Sequence, residues 1–458
     1  MRSAEKSLLP GGHTHHHNHQ DPTARSYYNG RHYRRFADDA KRATPTRLLS
    51  PVKLAIALTL SLVALLLFHC SRGPRGASSG YTLQETEEEE ALNENDYLGR
   101  AHQILKRVPL IDGHNDLPIR LQATHSGKLS GVNLTDLPGF HTDLTRLKAG
   151  GVSGQFWSGF IPCRQDFTHY TDDVRFTLEQ IDLIHRIVRS APNNQLEFAR
   201  TAADIRRIHK HGRLASLIGL EGGHQIDNSL AALRQYYDLG VRYLTLTHVC
   251  NTAWADSAGA PSPPLHGGLT PTFGRAVIAE MNRIGMMVDL SHVSHATMRD
   301  VLNATLAPVI FSHSAAAAIC KIERNVPDDV LARLDANSTR TDGVVMVNFY
   351  PRFVSCAAES SLEAVAHHIE HIARVAGWKH VGLGSDFDGI DVVPVGLEDV
   401  SKYPYLIAEL LRRGATTKQV EGVVGENLLR VMERVEKVAH GLRHLPPSEA
   451  TLAMNKTC

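Results

Sequence analysis

The chain reads as an α/β protein whose body is a parallel (β/α)8, TIM-like barrel, and three observations predict it. Eight short apolar runs, each β-branched or aromatic, recur between residues 108 and 389. Several are separated by stretches with apolar residues at helical spacing, such as "DDVRFTLEQIDLIHRIVRSA" and "SLEAVAHHIEHIARVAGW". The runs are near-continuously apolar, as strands buried on both faces are. About 280 residues for the whole pattern is close to the ~250 typical of such barrels. A doubly wound open sheet would produce similar local signals, and the pattern alone leaves that architecture open.

The segments before the barrel differ in character. Residues 1–53 hold ten Lys/Arg against four Asp/Glu, a net of +6, whereas the remainder holds 39 against 44, a net of −5. This first stretch reads as a basic, disordered cytoplasmic tail; its "GGHTHHHNHQ" is taken as solvated polar sequence. "LAIALTLSLVALLLFHC", residues 54–70, is uncharged and sits at the lower length limit for a helix crossing a bilayer. The basic stretch ahead of it is too long for the n-region of a cleaved signal peptide. A transmembrane signal anchor is therefore expected, giving a single-pass protein with its N-terminus cytoplasmic and its body extracellular or luminal. The chain ends "ATLAMNKTC" without an apolar tail, which argues against a lipid anchor there. "SRGPRGASSG" and "ETEEEE" make residues 71–96 a flexible stalk. The catalytic-sized body then spans 97–440, with a tail at 441–458. The whole-chain charge of +1 excludes a general nucleic-acid binder.

Four cysteines lie inside the body, Cys163, Cys250, Cys320 and Cys356. An even number outside the cytosol predicts two disulfides, with three pairings open. Asn133, Asn303, Asn337 and Asn455 each begin an Asn-x-Ser/Thr tripeptide and are candidate glycosylation acceptors.

The strand ends carry the chemistry. In "VPLIDGHNDLPIR", residues 108–120, the apolar run stops abruptly and Asp112, His114 and Asp116 occupy alternate positions. The third run ends at Glu221, the fourth at His248, the fifth at His292, the sixth at His313 and the eighth at Asp386. In a barrel all of these fall on the C-terminal rim, where such enzymes place their active sites. His114 and Asp116 point to one face, because strand side chains alternate with period two. Three imidazoles and two carboxylates from this set suit one or two divalent ions, zinc foremost. A carboxylate bridging two ions would hold them ~3.5–4 Å apart, as in two-metal hydrolases. No cysteine occupies these positions, which argues against a Cys-rich structural zinc site.

In order along the chain, "LIDGHNDLP", "GLEGGHQI", "YLTLTHVCNTAWAD", "VDLSHVS", "PVIFSHSAAAAIC", "ERNVPDDVL" and "GLGSDFDG" closely resemble the membrane (renal-type) dipeptidase family of binuclear zinc peptidases. The likeness runs from about residue 105 to 435 and includes "GENLLRVMERV". It implies a zinc-dependent dipeptidase that hydrolyses dipeptides bearing a free C-terminal carboxylate through a hydroxide bridging two zinc ions. By the same resemblance His114 and Asp116 bind one zinc, His292 and His313 bind the other, and Glu221 bridges them. His248 matches the substrate-binding histidine and Arg324 the arginine that holds the substrate carboxylate. Asp386 matches the acid/base aspartate, leaving Asp388 as its structural neighbour. The implied disulfides are Cys163–Cys250 and Cys320–Cys356. Two departures stand out. Ile119 occupies a position that is often Trp in relatives, and the apolar segment is N-terminal where animal relatives commonly carry a C-terminal lipid.

Other readings make different demands. Another metal-dependent amidohydrolase on the same barrel, acting on a lactam or an N-acyl amino acid, would not need Arg324. A separate alternative is that Arg324 only pairs with Asp328 or Asp329 to pin its loop. A catalytically silent surface receptor would be natural if a ligand were missing, and none is. Preferred dipeptides and a homodimer are left open.

Overall fold

Asp96 starts the first helix by accepting a hydrogen bond from the Gly99 amide at 2.9 Å, and the helix runs Tyr97–Arg107. This is a computed structural model that describes residues 95–163, 172–259, 264–334 and 341–452. The expected tail (1–53), apolar segment (54–70) and nearly all of the stalk, with Asn337 and Asn455, lie outside the described residues.

The strands are β1 (Leu110–Asn115), β2 (Val152–Phe160), β3 (Leu196–Phe198), β4 (Leu214–Glu221), β5 (Val241–Thr245), β6 (Met287–Asp289), β7 (Val309–Phe311), β8 (Gly343–Val347) and β9 (Val381–Leu383). Every pairing between them is parallel. Their order is β2-β1-β9-β8-β7-β6-β5-β4, and the β2–β4 pairing closes the ring. Eight strands thus form the barrel, which settles it against an open sheet. The extra strand β3 pairs with Leu214–Ser216 of β4, before the stretch Ile218–Glu221 that pairs with β5. Sequence periodicity misses β3 because "LEF" is too short to show a period.

Successive residues of one strand divide between two cores, as period-two side chains must. Val344 and Met346 join Ile111, Phe156, Tyr243 and Ile310, whereas Val345 and Val347 join helix residues such as Ile369 and Leu406. Leu428, Leu429 and Met432 of the helix Asn427–Leu442 belong to the first of these clusters. Just before that helix, a Cβ on Gly425 would come 2.1 Å from the Pro109 carbonyl, so the chain abuts the N-terminal end of β1. That end is filled, and the opposite rim is left for chemistry.

The single-pass membrane expectation is corrected here. No helix among the described residues is long and apolar enough to cross a membrane. The longest of them, Asp173–Ser190, has 18 residues but buries one apolar face and carries charges such as Arg175, Glu179 and Asp182 on the other. Asn133 and Asn303 are exposed.

Of the three pairings open to the cysteines, the structure has Cys163–Cys250 and Cys320–Cys356, with Cα atoms 6.0 and 5.5 Å apart. Their sequence separations are 87 and 36 residues. Closing such loops in the unfolded chain removes ~4–5 and ~4 kcal/mol of conformational entropy respectively. Replacing both cysteines of either pair by Ser is expected to lower urea stability by up to these amounts, more for Cys163–Cys250. Unchanged midpoints in both double variants would show that neither bridge stabilises the fold.

Candidate active site

Strand β1 carries His114 within its length and delivers Asp116 just beyond its end, while β4 ends on Glu221. His248, His292 and His313 lie within three residues of the ends of β5, β6 and β7, and Asp386 three past β9. All seven side chains are buried. Glu221 is the centre of the arrangement. Its Oε2 lies 3.6 Å from His114 Nε2, and its Oε1 lies 3.0 Å from His292 Nε2 and 3.3 Å from His313 Nε2. His114 Nε2 is also 3.1 Å from Asp116 Oδ2, and the His292 and His313 Nε2 atoms are 2.9 Å apart. One carboxylate therefore faces a His–Asp pair with one oxygen and a His–His pair with the other.

The donor set fits a divalent metal on its own chemistry. Ligand atoms of His114, Asp116 and Glu221 lie within 4.8 Å of one another, as do those of Glu221, His248 and His292, and those of His114, His313 and Asp386. Asp116 Oδ1 is buried without a hydrogen-bond partner, a costly state that a cation would relieve. A further group, Cys163, His224 and Cys250, has its sulfurs in the disulfide. Burial drives His248, His292 and His313 well below the ordinary imidazole range, and Arg324 pushes each further down. Neutral imidazoles keep a lone pair free for a metal. Burial likewise raises the Glu221 and Asp386 carboxyls, with Asp116 adding to both. Burial opposes charge on His114 as well, but Tyr243, Glu221 and Asp116 together hold it well above its usual range. Desolvated carboxylates beside neutral imidazoles make an environment that positive charge would stabilise.

Arg324 closes one side of this cluster. Its Nη1 donates to Ser314 Oγ and its Nη2 to the His313 carbonyl, both at 2.8 Å, and its guanidinium lies 5.3 Å from the centre of the Phe353 ring. Asp328 instead meets His371 at 2.8 Å and Asp329 meets Arg299 at 2.7 Å, so neither pins Arg324. Burial lowers Arg324 to about 10, against the pull of Asp386 and Glu221. His248 packs against the edge of Phe160 and the ring of His292, with Nδ1 unpartnered.

A family model described as membrane dipeptidase (peptidase family M19) matches residues 98–445. The chain belongs to the membrane dipeptidase family. It is thus a dipeptidase, a metal-dependent hydrolase. The dipeptidase aclJ of Aspergillus oryzae is 47% identical over 356 residues, covering 76% of this chain and 83% of that protein. A metallopeptidase from Rhodobacter sphaeroides, solved with a phosphinate mimic of the dipeptide L-Ala-D-Ala, superposes with a TM-score of 0.64 at 30% identity. The likeness covers 72% of this chain and 99% of that one. A second structure, the metallopeptidase called dipeptidase AC, gives 0.64 at 29% identity with the same coverage.

The dipeptidase rim brings together the side chains of His114, Asp116, Glu221, His248, His292, His313 and Asp386, with Arg324 on the His313 carbonyl. It also shows backbone strain that no composition pattern reveals. His292 (φ 66°), Asp386 (φ 69°) and Asp388 (φ 66°) are left-handed non-glycine residues. Such conformations cost about 1–3 kcal/mol each and collect at functional sites. Here Ala258 N donates to the His292 carbonyl at 2.8 Å and Asp386 N to the His114 carbonyl at 3.2 Å. Asp388 accepts from His141 N at 2.8 Å and donates its own amide to His141 Nδ1 at 3.0 Å, tying down the loop beyond Asp386. Asp112, singled out in the sequence without a role, accepts from the Ser385 amide and hydroxyl at 2.8 and 2.7 Å. It holds the start of the same loop.

Proposed function

We propose that this dipeptidase cleaves dipeptides with a free C-terminal carboxylate, using two zinc ions. His114 and Asp116 would hold one ion, His292 and His313 the other, and Glu221 would bridge them. The division of the two Glu221 oxygens between these pairs is the observation that carries the reading. When bound, the ions supply Lewis-acid polarisation and lower the pKa of a water from 15.7 to about 7. Nitrogen and carboxylate donors without sulfur are compatible with zinc.

The chain's own side chains divide the remaining work. Neutral His248 offers its ring N–H to the carbonyl oxygen as negative charge develops there. Asp386 receives the proton of the attacking water and delivers it to the leaving amine. Arg324 presents a planar fork to the terminal carboxylate, a geometry that Lys cannot reproduce. Fixed relative to the ligand cluster, it measures one residue beyond the scissile carbonyl. The dipeptide mimic held by the Rhodobacter sphaeroides metallopeptidase supports a substrate of this size.

Comparing a dipeptide with its C-terminal amide and with a tripeptide extended at the C-terminus tests the reading. The dipeptide is expected to be strongly preferred. Arg324→Ala should cost on the order of 2–5 kcal/mol on the dipeptide, roughly 30-fold or more in kcat/KM. Zinc content should stay unchanged. Equal cleavage of all three substrates by the wild type would move the assignment to an amidohydrolase that does not read the carboxylate.

A further inference from the structure

Beneath the ligand cluster lie two buried hydroxyls whose direction is set by their shortest hydrogen bonds, the other acceptor of Ser312 Oγ, Ser291 Oγ, lying 3.4 Å away. Tyr243 Oη donates to the Gly113 carbonyl at 3.0 Å, which uses its one proton. The same oxygen is 3.0 Å from His114 Nδ1 and must therefore accept from it. With Nδ1 carrying hydrogen, Nε2 is the nitrogen that faces Asp116 and Glu221, and it presents its lone pair there once a metal ion takes the place of its proton. Across the rim, Ser312 Oγ donates to Asp289 Oδ2 at 2.6 Å and lies 2.8 Å from His313 Nδ1. That hydroxyl also has only acceptor capacity left, so His313 Nδ1 must donate and Nε2 must face Glu221.

The acceptors that impose these directions are themselves firmly placed. Asp289 accepts from Ser312 N at 2.8 Å, from Ser291 N at 3.1 Å and from the Thr245 hydroxyl, besides Ser312 Oγ. Tyr243 reaches His114 across β4 only because residue 219 is glycine: a Cβ there would fall 1.9 Å from Tyr243 Cζ. Tyr243, His114, Ser312, His313 and Asp289 are all fully buried.

We propose that Tyr243 and the Ser312–Asp289 pair are positioning residues, one for each metal site. They lock the tautomers of His114 and His313 so that both Nε2 atoms present lone pairs to the ions. The inference rests on the two-zinc reading above, with these two histidines on different ions. Partners of this kind typically change metal affinity 10–100-fold when removed.

The test is zinc affinity of the purified full chain, stripped with a chelator and titrated with zinc against a chromophoric competitor. Wild type should take up two ions. Tyr243→Phe and Ser312→Ala should each weaken one ion 10–100-fold and leave the other within about threefold. Combining them should weaken both. In Asp289→Asn the Ser291 and Ser312 amides hold the remaining oxygen, so an NH2 replaces Oδ2 as the neighbour of the Ser312 hydroxyl, and the same single ion should weaken as in Ser312→Ala. Loss confined to one ion at a time is what general loosening of the barrel would not produce. Wild-type affinity for both ions in Tyr243→Phe and Ser312→Ala overturns this inference alone. A wild-type chain that takes up no zinc overturns the two-zinc reading and this inference with it.

Discussion

If two zinc ions are bound as proposed, Glu221→Gln should lower kcat/KM for a dipeptide by roughly 10³-fold or more and reduce bound zinc from two ions toward one. The amide has nearly the volume of the carboxylate, so the barrel should fold as before and unfold at a similar temperature. What changes is charge and donor capacity. One Glu221 oxygen faces His114 and the other faces His292 and His313, at 3.0–3.6 Å. Gln keeps one acceptor oxygen, and its NH2 would point hydrogens at one pair of ligands. Lewis-acid stabilisation by an ion is worth several kcal/mol, and each 1.36 kcal/mol is tenfold in rate, which sets the ~10³ figure. Zinc by atomic emission on the purified variant, alongside steady-state kinetics, checks both halves. Two tightly held ions with near wild-type activity would mean that Glu221 does not bridge.

The ease with which this site could be read from sequence has a physical origin. In a parallel barrel the apolar run of each strand ends where the chain leaves the core, so a His, Asp or Glu at that point stands out against its surroundings. His114, Glu221 and His313 were legible for that reason. Arg324 was not, because it lies on a loop with no periodic context, and only its neighbours in "ERNVPDD" marked it through family resemblance. Tyr243 and Ser312 were hidden for the opposite reason. They sit within or just beyond runs that read as ordinary strand, and Tyr243 counts there as an apolar core residue. Asp289 ends β6 and fits the same logic that found His292, yet its oxygens are consumed by backbone and hydroxyl donors. The left-handed backbone at His292 and Asp386 left no trace at all, since neither position carries the glycine that usually marks it. Cysteine count left the pairing open, and topology resolves it: Cys163 follows β2 and Cys250 follows β5, on either side of β4, with which both strands pair.

Asp386→Asn should lower kcat by roughly 10²–10⁴-fold, the range for loss of a positioned proton carrier, with little change in KM. Asn is well suited to this test because it tolerates the left-handed backbone that residue 386 adopts, at φ 69°, about as well as Asp. The substitution therefore removes a proton site without adding strain, and the Asp386 amide can still donate to the His114 carbonyl. The carboxyl is buried, and the charged groups acting on it are His114, Asp116, Glu221 and Arg324. Asp388 is the control. It lies two residues away and accepts from the His141 amide through Oδ1, a bond that Asn can keep. Asp388→Asn should thus keep kcat within about tenfold of wild type, on the scale of one lost hydrogen bond. Zinc content separates the two chemical roles open to Asp386, since its oxygen is also within ligand reach of His114 and His313. A low kcat with both ions retained identifies a proton carrier. If an ion leaves with the carboxylate, Asp386 is a metal ligand instead, and the proton must travel by another group.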